Sequence, residues 1–474
     1  MSQFNTAMKW FYPGLLIKRW LLLGFIGLMV FLVGVGVTIQ AHPVGSSPLL
    51  VQFSNWIIHR TQGLIRPQIL GLSMSGLGAV IGITAMAKLI LSLTSVLDPD
   101  LEHGDLVGVI YERRRLSKGR RIVVIGGGTG LSTMLRGLKR YSHNITAIVT
   151  VTDDGGSSGK LQKQLNILPP GDIRNCLVAL ADAEPQMTEL FQYRFRDSVQ
   201  KVKTVESAKY TSSETAGVSA VAEMEATILN RREGNSFGEG LRDHAFGNLL
   251  IAAMCAIYDG DFKRGVEETS RVLNIRGRVL PSTVTHVSLR GEMENGSVLE
   301  GETAIASSPL KIKRISLSPA NAGPIEDVLE AIAHADVIVL GPGSVYTSII
   351  PNLLIKGIPE ALHRSKAIKI YVCNVMTQPG ETDGYSAYDH IRALETHARQ
   401  RVFEYVLVNT GEPNPELLSK YEKTGSELVE PDTDRIKKEG YKPIRGNFIN
   451  QTDVVRHDAA RLAEAIMSLL AKKR

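Results

Sequence analysis

Cysteine is scarce: Cys176, Cys255 and Cys373 are the only three in 474 residues, and they lie far apart. That excludes a disulfide framework and a cysteine-based zinc site, and suits single buried thiols in a reducing compartment. Aromatic residues make up only 6%, and 54 Lys+Arg against 48 Asp+Glu leave a net charge of +6. Stacking platforms and a strong positive field are both wanting, so no nucleic-acid partner is expected. No glycine run ends in GK[ST], so no lysine is placed to reach a terminal phosphate as in a P-loop ATPase. No internal repeat is visible. Glycine, by contrast, is abundant at 44 residues, which points to many tight backbone turns.

The length calls for more than one structural unit, and the chain divides into two unlike pieces. Residues 21–39 carry no charged side chain, and a second uncharged run covers 70–87; about 20 apolar residues cross a hydrocarbon core. Spans are expected near 21–39 and 70–90, with Gly78 and Gly82 as a small-xxx-small pair. A cleaved signal peptide and a buried soluble helix are the alternatives. Lys9, Lys18 and Arg19 precede the first run, Arg60 and Arg66 lie between the two, and Arg113, Arg114, Arg115, Lys118, Arg120 and Arg121 follow the second. The positive-inside rule then puts both termini in the cytoplasm and the loop of 40–68 outside. A multi-pass inner-membrane protein is expected, with residues 1–20 and a basic linker of 98–119 on the cytoplasmic side. The linker can also attract anionic lipid.

From residue 120 to the end, short apolar runs alternate with helical stretches, the pattern of an α/β domain with a mostly parallel sheet and helices on both faces. Residues 197–240 read as a polar insertion, in which Thr204, Thr211, Ser212, Ser213 and Thr215 are candidate phosphorylation sites. Residues 278–318 alternate like β-hairpins added to the sheet.

The first strand, Arg121 to Ile125, runs into Gly126, Gly127, Gly128, Thr129 and Gly130 and then a helix. That is either a phosphate site at a helix N-terminus or a tight packing turn, and Leu131 breaks the GxGxxG of a dinucleotide fold. The second strand, Ile145 to Val151, ends in Asp153, Asp154 and a Gly/Ser run with Ser157 and Ser158. The paired acids suit sugar hydroxyls or a divalent ion such as Mg²⁺, unless they are a solvated turn. Asp172 is a plausible cap of the next helix, with Arg174 beside it to meet an anion and Asn175 following. His244 and Asn248 fall one helical turn apart, for a ligand or as a hydrogen-bonded structural pair. Gly341, Gly343, Ser344 and Ser348 form a second glycine turn into a helix, and Asn374 and Thr377 lie on the same predicted edge. No Ser/His/Asp nucleophile is expected, and two anion sites around a carboxylate pair favour a nucleotide or sugar diphosphate.

The ordered motifs GGGTGLS, VTDDGGSSG, PPGDIRN, HAFGNLL, LGPGSVYTSIIPNLL and CNVMTQPGETDGYSAYDH resemble the gluconeogenesis factor family, the YvcK-like branch of the CofD-like superfamily. The likeness covers about residues 120–472. It implies a Rossmann-like fold, a role in central carbon metabolism and cell shape, and binding of a uridine-diphosphate sugar such as UDP-N-acetylglucosamine. The other branch, 2-phospho-L-lactate transferase, implies Mg²⁺-dependent transfer of a phospholactyl group. In that case Asp153, Asp154, Arg174 and His244 are the catalytic candidates, Asp153 and Asp154 match its metal region, and Gly341 to Ser344 match its phosphate turn. Mg²⁺ is the one cofactor candidate, and a homo-oligomer is expected. A nicotinamide-dependent oxidoreductase is the weakest of three readings.

Overall fold

In the computed structural model the described residues are 17–39, 67–97, 114–182, 185–195, 241–451 and 455–472, with single positions 52, 56 and 111. The insertion of 197–240 with its phosphorylation candidates lies outside them, as do Lys9, Arg60, Arg66 and Arg113. The chain forms two units, Met1–Tyr111 and Glu112–Arg474.

The first unit holds α1 (Ile17–Ile39) and α2 (Pro67–Leu97). Within them Arg19–Thr38 and Ile69–Ile90 are long and apolar enough to cross a membrane. A helix suits such a segment because it satisfies its own backbone polar groups. The two helices approach through backbone. A Cβ built on Gly78 would strike the Phe31 amide nitrogen, and one on Gly34 would strike the backbone of Ser75. Gly82 lies on the same seam: its own Cβ position is open, but a Cβ on Gly27 would come 2.7 Å from the Gly82 nitrogen. The seam on α2 therefore runs through Gly71, Ser75, Gly78 and Gly82, spaced four, three and four apart, so all four share one face.

The second unit is built on seven strands: β1 (Ile122–Gly126), β2 (Ile145–Val149), β3 (Arg278–Pro281), β7 (Val337–Leu340), β8 (Ile368–Val372), β9 (Tyr405–Asn409) and β10 (Lys442–Gly446). Every pairing is parallel and the order is β10-β9-β8-β7-β1-β2-β3. All residues of β1, β7 and β8 are buried, as a sheet covered on both faces requires. From β1 the chain builds outward to β2 and β3, and from β7 outward the other way, so the order reverses between β1 and β7.

The covering helices are α3 (Gly128–Leu138), α4 (Gly156–Leu165), α5 (Gly171–Leu180), α6 (Pro185–Gln192), α7 (Phe246–Ile257), α8 (Phe262–Val272), α9 (Glu302–Ala306), α10 (Glu326–His334), α11 (Ile350–Leu354), α12 (Ile358–Arg364), α13 (Ala387–Ala398), α14 (Pro415–Glu422), α15 (Thr433–Lys438) and α16 (Ala459–Lys472). In α3, Leu131, Met134, Leu135 and Leu138 recur at helical spacing and are wholly buried. Each such side chain stabilises the fold by roughly 1.5–3 kcal/mol.

One expectation needs correcting. Residues 278–318 do not extend the main sheet as hairpins: β3 joins it as a parallel edge, while β4 (Ser288–Met293), β5 (Val298–Glu300) and β6 (Ile312–Ser318) form a separate antiparallel sheet. The last residues of the basic linker pack on the domain. Leu116 is buried, and its carbonyl accepts the His143 amide at 2.9 Å.

The ends of the insertion meet. Arg194 and Ala245 form an antiparallel bridge, the Phe195 amide donates to the His244 carbonyl at 3.1 Å, and the Asp243 amide donates to the Phe195 carbonyl at 2.8 Å. A short β11 (Ile449–Gln451) and β12 (Val455–His457) hairpin leads into α16.

Candidate ligand site at the carboxyl edge of the sheet

In an open α/β sheet ligands bind beyond the carboxyl ends of the strands, where the strand order reverses. A cleft of about 230 Å³ opens there, between Thr129 and Gly130 after β1, Pro342 to Ser344 after β7, Asn374 to Gln378 after β8, and Arg456 and His457 of β12. Gly130 is needed for closeness: its Cβ would lie 2.6 Å from the Pro342 carbonyl oxygen. Gly128 and Gly341 have φ of +67° and +77°, which favour glycine. Gly126 makes only ordinary contacts. Arg456 is exposed, while His457 contacts the Cys373 carbonyl oxygen through Nε2 at 3.1 Å, and burial pushes its pKa down to about 4. Among the described residues the cleft therefore has one permanent cation, Arg456, beside glycine turns and a neutral imidazole.

Asp172 is not the cap of its own helix. The N-cap of α5 is Pro170, and Asp172 instead accepts the Gly128 amide at the start of α3. A Cβ on Gly127 would lie 2.5 Å from Asp172 Oδ2, so the first glycine turn is shaped in part around a carboxylate of the chain itself. The second glycine turn borders the cleft and is braced from behind by the chain's own side chains. Gly341 to Ser344 lead into a π-helical turn, Val345–Ile349. There Glu381 accepts from the Tyr346 amide at 3.3 Å, Thr347 Oγ1 at 3.2 Å and Gln378 Nε2 at 2.9 Å. Burial raises Glu381 to about 7. Ser344 Oγ donates to Gln378 Oε1 at 2.6 Å, and Asn374 Nδ2 donates to the Gly343 carbonyl at 2.9 Å. Ser348 packs against Gly127 and Gly128. Thr377 faces inward, and its hydroxyl accepts the Glu427 amide at 2.8 Å.

At the β2 edge the paired aspartates separate. Asp154 Oδ1 accepts Thr303 N at 2.9 Å and Thr303 Oγ1 at 2.6 Å, tying the edge to α9. Asp154 thus has a structural role through this one oxygen. Asp153 Oδ1 accepts only the local Gly155 amide at 3.0 Å, and its Oδ2 lies beside Gly171 and Ser158.

His244 and Asn248 do not share a ligand-facing turn, because α7 starts at Phe246 with Ala245 as its N-cap. They converge on Ser157, whose Oγ meets His244 Nδ1 at 3.1 Å and accepts from Asn248 Nδ2 at 3.0 Å and Ala245 N at 3.3 Å. Gly155 to Gly159 thus carries GxSxG spacing and a Ser–His pair that the sequence reading did not expect. Ser157 is nevertheless only 3% exposed, and its single oxygen already has three partners, so it is no nucleophile. Burial raises Cys373 to about 12, which excludes it as well.

Arg174 is 8% exposed and donates through Nη2 to Asn175 Oδ1 at 2.9 Å. Among the described residues its Nε and Nη1 have no hydrogen-bond partner, nor has the nearby buried Asn248 Oδ1. Asp153 and Asp172 supply the opposing charge. Two further acids complete this side. Glu302, which no motif announced, is half-buried and raised to about 9, by burial and then by Asp153, Asp172, Glu381 and Asp154; Glu381, of the CNVMTQPGETDGYSAYDH motif, is the other. Asp172 is raised to about 6, by burial and then by Asp153.

Among the described residues no three metal-ligating side chains converge. The mutual repulsion of Asp153, Asp172 and Glu302 still fits a cation held by one or two carboxylates and completed by a ligand's phosphates, the usual manner for Mg²⁺. Asp153 and Asp172 would hold it, and it would neutralise charge on a bound diphosphate.

Residues 122–449 match the family described as 2-phospho-L-lactate transferase CofD. A gluconeogenesis factor of Halalkalibacterium halodurans is 46% identical over 74% of this chain and 96% of its own length. A relative from Nostoc sp. is 40% identical over 98% of this chain and 92% of its own, so that alignment takes in the region of α1 and α2. The crystal structure of a UPF0052 family member from Bacillus halodurans matches with a TM-score of 0.62 at 44% identity, covering 73% of this chain and 99% of that one. The chain therefore belongs to the CofD family and, within it, to the gluconeogenesis factors.

Proposed function

We propose that this protein is a membrane-tethered regulator that binds a nucleotide-diphosphate sugar, such as UDP-N-acetylglucosamine, and links central carbon metabolism to cell shape and envelope synthesis. The observation that carries it is the cleft at the strand-order reversal, where the turns of Gly130 and Gly343 and the Arg456 guanidinium offer donors to a diphosphate. Two apolar helices of spanning length support the tether, and basic residues on both flanks support cytoplasmic termini. The name of the Halalkalibacterium relative supports the metabolic role.

Calorimetric titration of residues 112–474 with UDP-N-acetylglucosamine, GDP and NAD⁺, with and without Mg²⁺, tests the proposal. That portion is suitable because the crystallised relative is spanned almost entirely by it. Saturable binding of the UDP-sugar, recovered unchanged and lost in Arg456→Ala, is expected; binding of none of the three would overturn it. The acids Asp153, Asp172 and Glu302 favour a second reading, Mg²⁺-assisted transfer of a phosphoryl-linked group. Preference for GDP with an absolute Mg²⁺ requirement, and product formation, would select it.

A further inference from the structure

Because every strand of the main sheet is parallel, their amino ends share one edge, opposite the ligand cleft, and the C-termini of the helices preceding them come to it. Arg140 follows α3, Arg364 ends α12, Lys366 precedes β8 and Arg399 follows α13; all four are exposed. None is in a salt bridge among the described residues, whereas Asp336 is matched by Arg121, Asp327 by Lys263 and Arg278, and Glu404 by Lys369, and exposed Glu330 and Glu439 offset only part of the remaining charge. The edge is left with a positive surplus. Helix dipoles favour cations at these ends, but a second observation is independent of them. The chain enters the domain here: Ser142 Oγ donates to the Arg120 carbonyl at 2.7 Å, and Asn144 Nδ2 donates to the carbonyls of Ser117 at 3.0 Å and Gly119 at 2.8 Å. The last stretch of the basic linker, with exposed Arg114 and Lys118, is thereby fixed to this edge. A recess of about 560 Å³ lies between the starts of β1, β2 and β3 and gives the edge relief.

We propose that the amino edge of the sheet is a docking face for an anionic lipid surface, so that the folded domain lies on the membrane with its ligand cleft turned away. This rests on the tethered reading of α1 and α2, but it concerns a different surface. The test is co-sedimentation of residues 112–474 with vesicles of phosphatidylcholine alone or with roughly one-third phosphatidylglycerol, at about 0.1 M salt. Binding to the anionic vesicles only is expected. It should fall at least about tenfold when Arg140, Arg364, Lys366 and Arg399 are together changed to Glu, since each basic residue near a charged surface contributes. The same change at Lys420 and Lys423, in the last turn and at the C-cap of α14, should leave it intact, and an unchanged melting temperature with retained nucleotide-sugar binding shows that the fourfold variant is folded. Equal binding to neutral vesicles, no binding, or loss confined to variants of residues 114–121 would overturn the proposal. Carbonate extraction of membranes holding the full chain reports on the hairpin separately, so failure of the tether and failure of this face are distinguishable.

Discussion

Replacing Glu302 by Gln should make the domain more stable at neutral pH and change little in acid. The folded state holds Glu302 near a pKa of about 9 against an ordinary 4.5, because burial and the charges of Asp153, Asp172, Glu381 and Asp154 all oppose ionisation. Below about pH 4.5 the folded and unfolded chains are equally protonated. Above it the unfolded chain ionises first, so stability is lost steadily until about pH 9. At about pH 7.5 the whole shift would correspond to roughly three units at 1.36 kcal/mol each, or ~4 kcal/mol. The neighbouring acids share that proton, so about half, ~2 kcal/mol, is the working figure. Urea unfolding of wild-type and Glu302→Gln at about pH 4.5 and pH 7.5 measures it. The variant should gain ~2 kcal/mol at the higher pH and under ~0.5 kcal/mol at the lower. An equal gap at both, or a variant less stable at neutral pH, would refute the carboxylate ring as described.

Ser157→Ala should cost ~1–3 kcal/mol in urea unfolding, because the Ala245 and Asn248 donors lose a buried acceptor. Asp153→Asn should weaken any Mg²⁺ dependence of nucleotide-sugar binding seen by calorimetry, while Asp154→Asn should leave it and instead loosen α9, read as faster hydrogen exchange around Thr303. Gly130→Ala should abolish ligand binding with a stability loss of ~1–3 kcal/mol, since the new methyl group meets the Pro342 backbone rather than a movable side chain. Gly78→Leu should unzip α1 from α2, measured as lost crosslinking between cysteines placed across the seam.

Features set by neighbours in the chain were legible from sequence. The apolar runs before Gly126 and Gly341 gave β1 and β7 because a parallel strand buried on both faces is continuously hydrophobic, and the glycines after them located the cleft's walls. Features set by distant partners were not legible. Asp153 and Asp154 are adjacent and chemically identical, yet Thr303, 149 residues on, engages one and leaves the other. Asp172 looks like a cap in its own segment, but the carboxylate finds Gly128 instead. Glu302 opens the short helix α9 after β5 and Arg456 lies on a late hairpin, both outside the glycine motifs read from sequence, and only the fold carries them to the carboxyl edge.

The closed neck at Arg194, Phe195 and Asp243 to Ala245 has a consequence for the insertion that hangs from it. Since the two ends already touch, the core bears no cost of spanning a gap, and doubling the loop's length would cost only about 0.6 kcal/mol in closure entropy. Closure at the neck therefore places little constraint on the length of chain between its two ends. The neck is also the insertion's point of attachment beside the site: His244 and Ala245, which close it, are the residues that hold Ser157 at the start of α4. Opening the neck would take the His244 and Ala245 contacts from Ser157 and leave Asn248 as its partner at the start of α4.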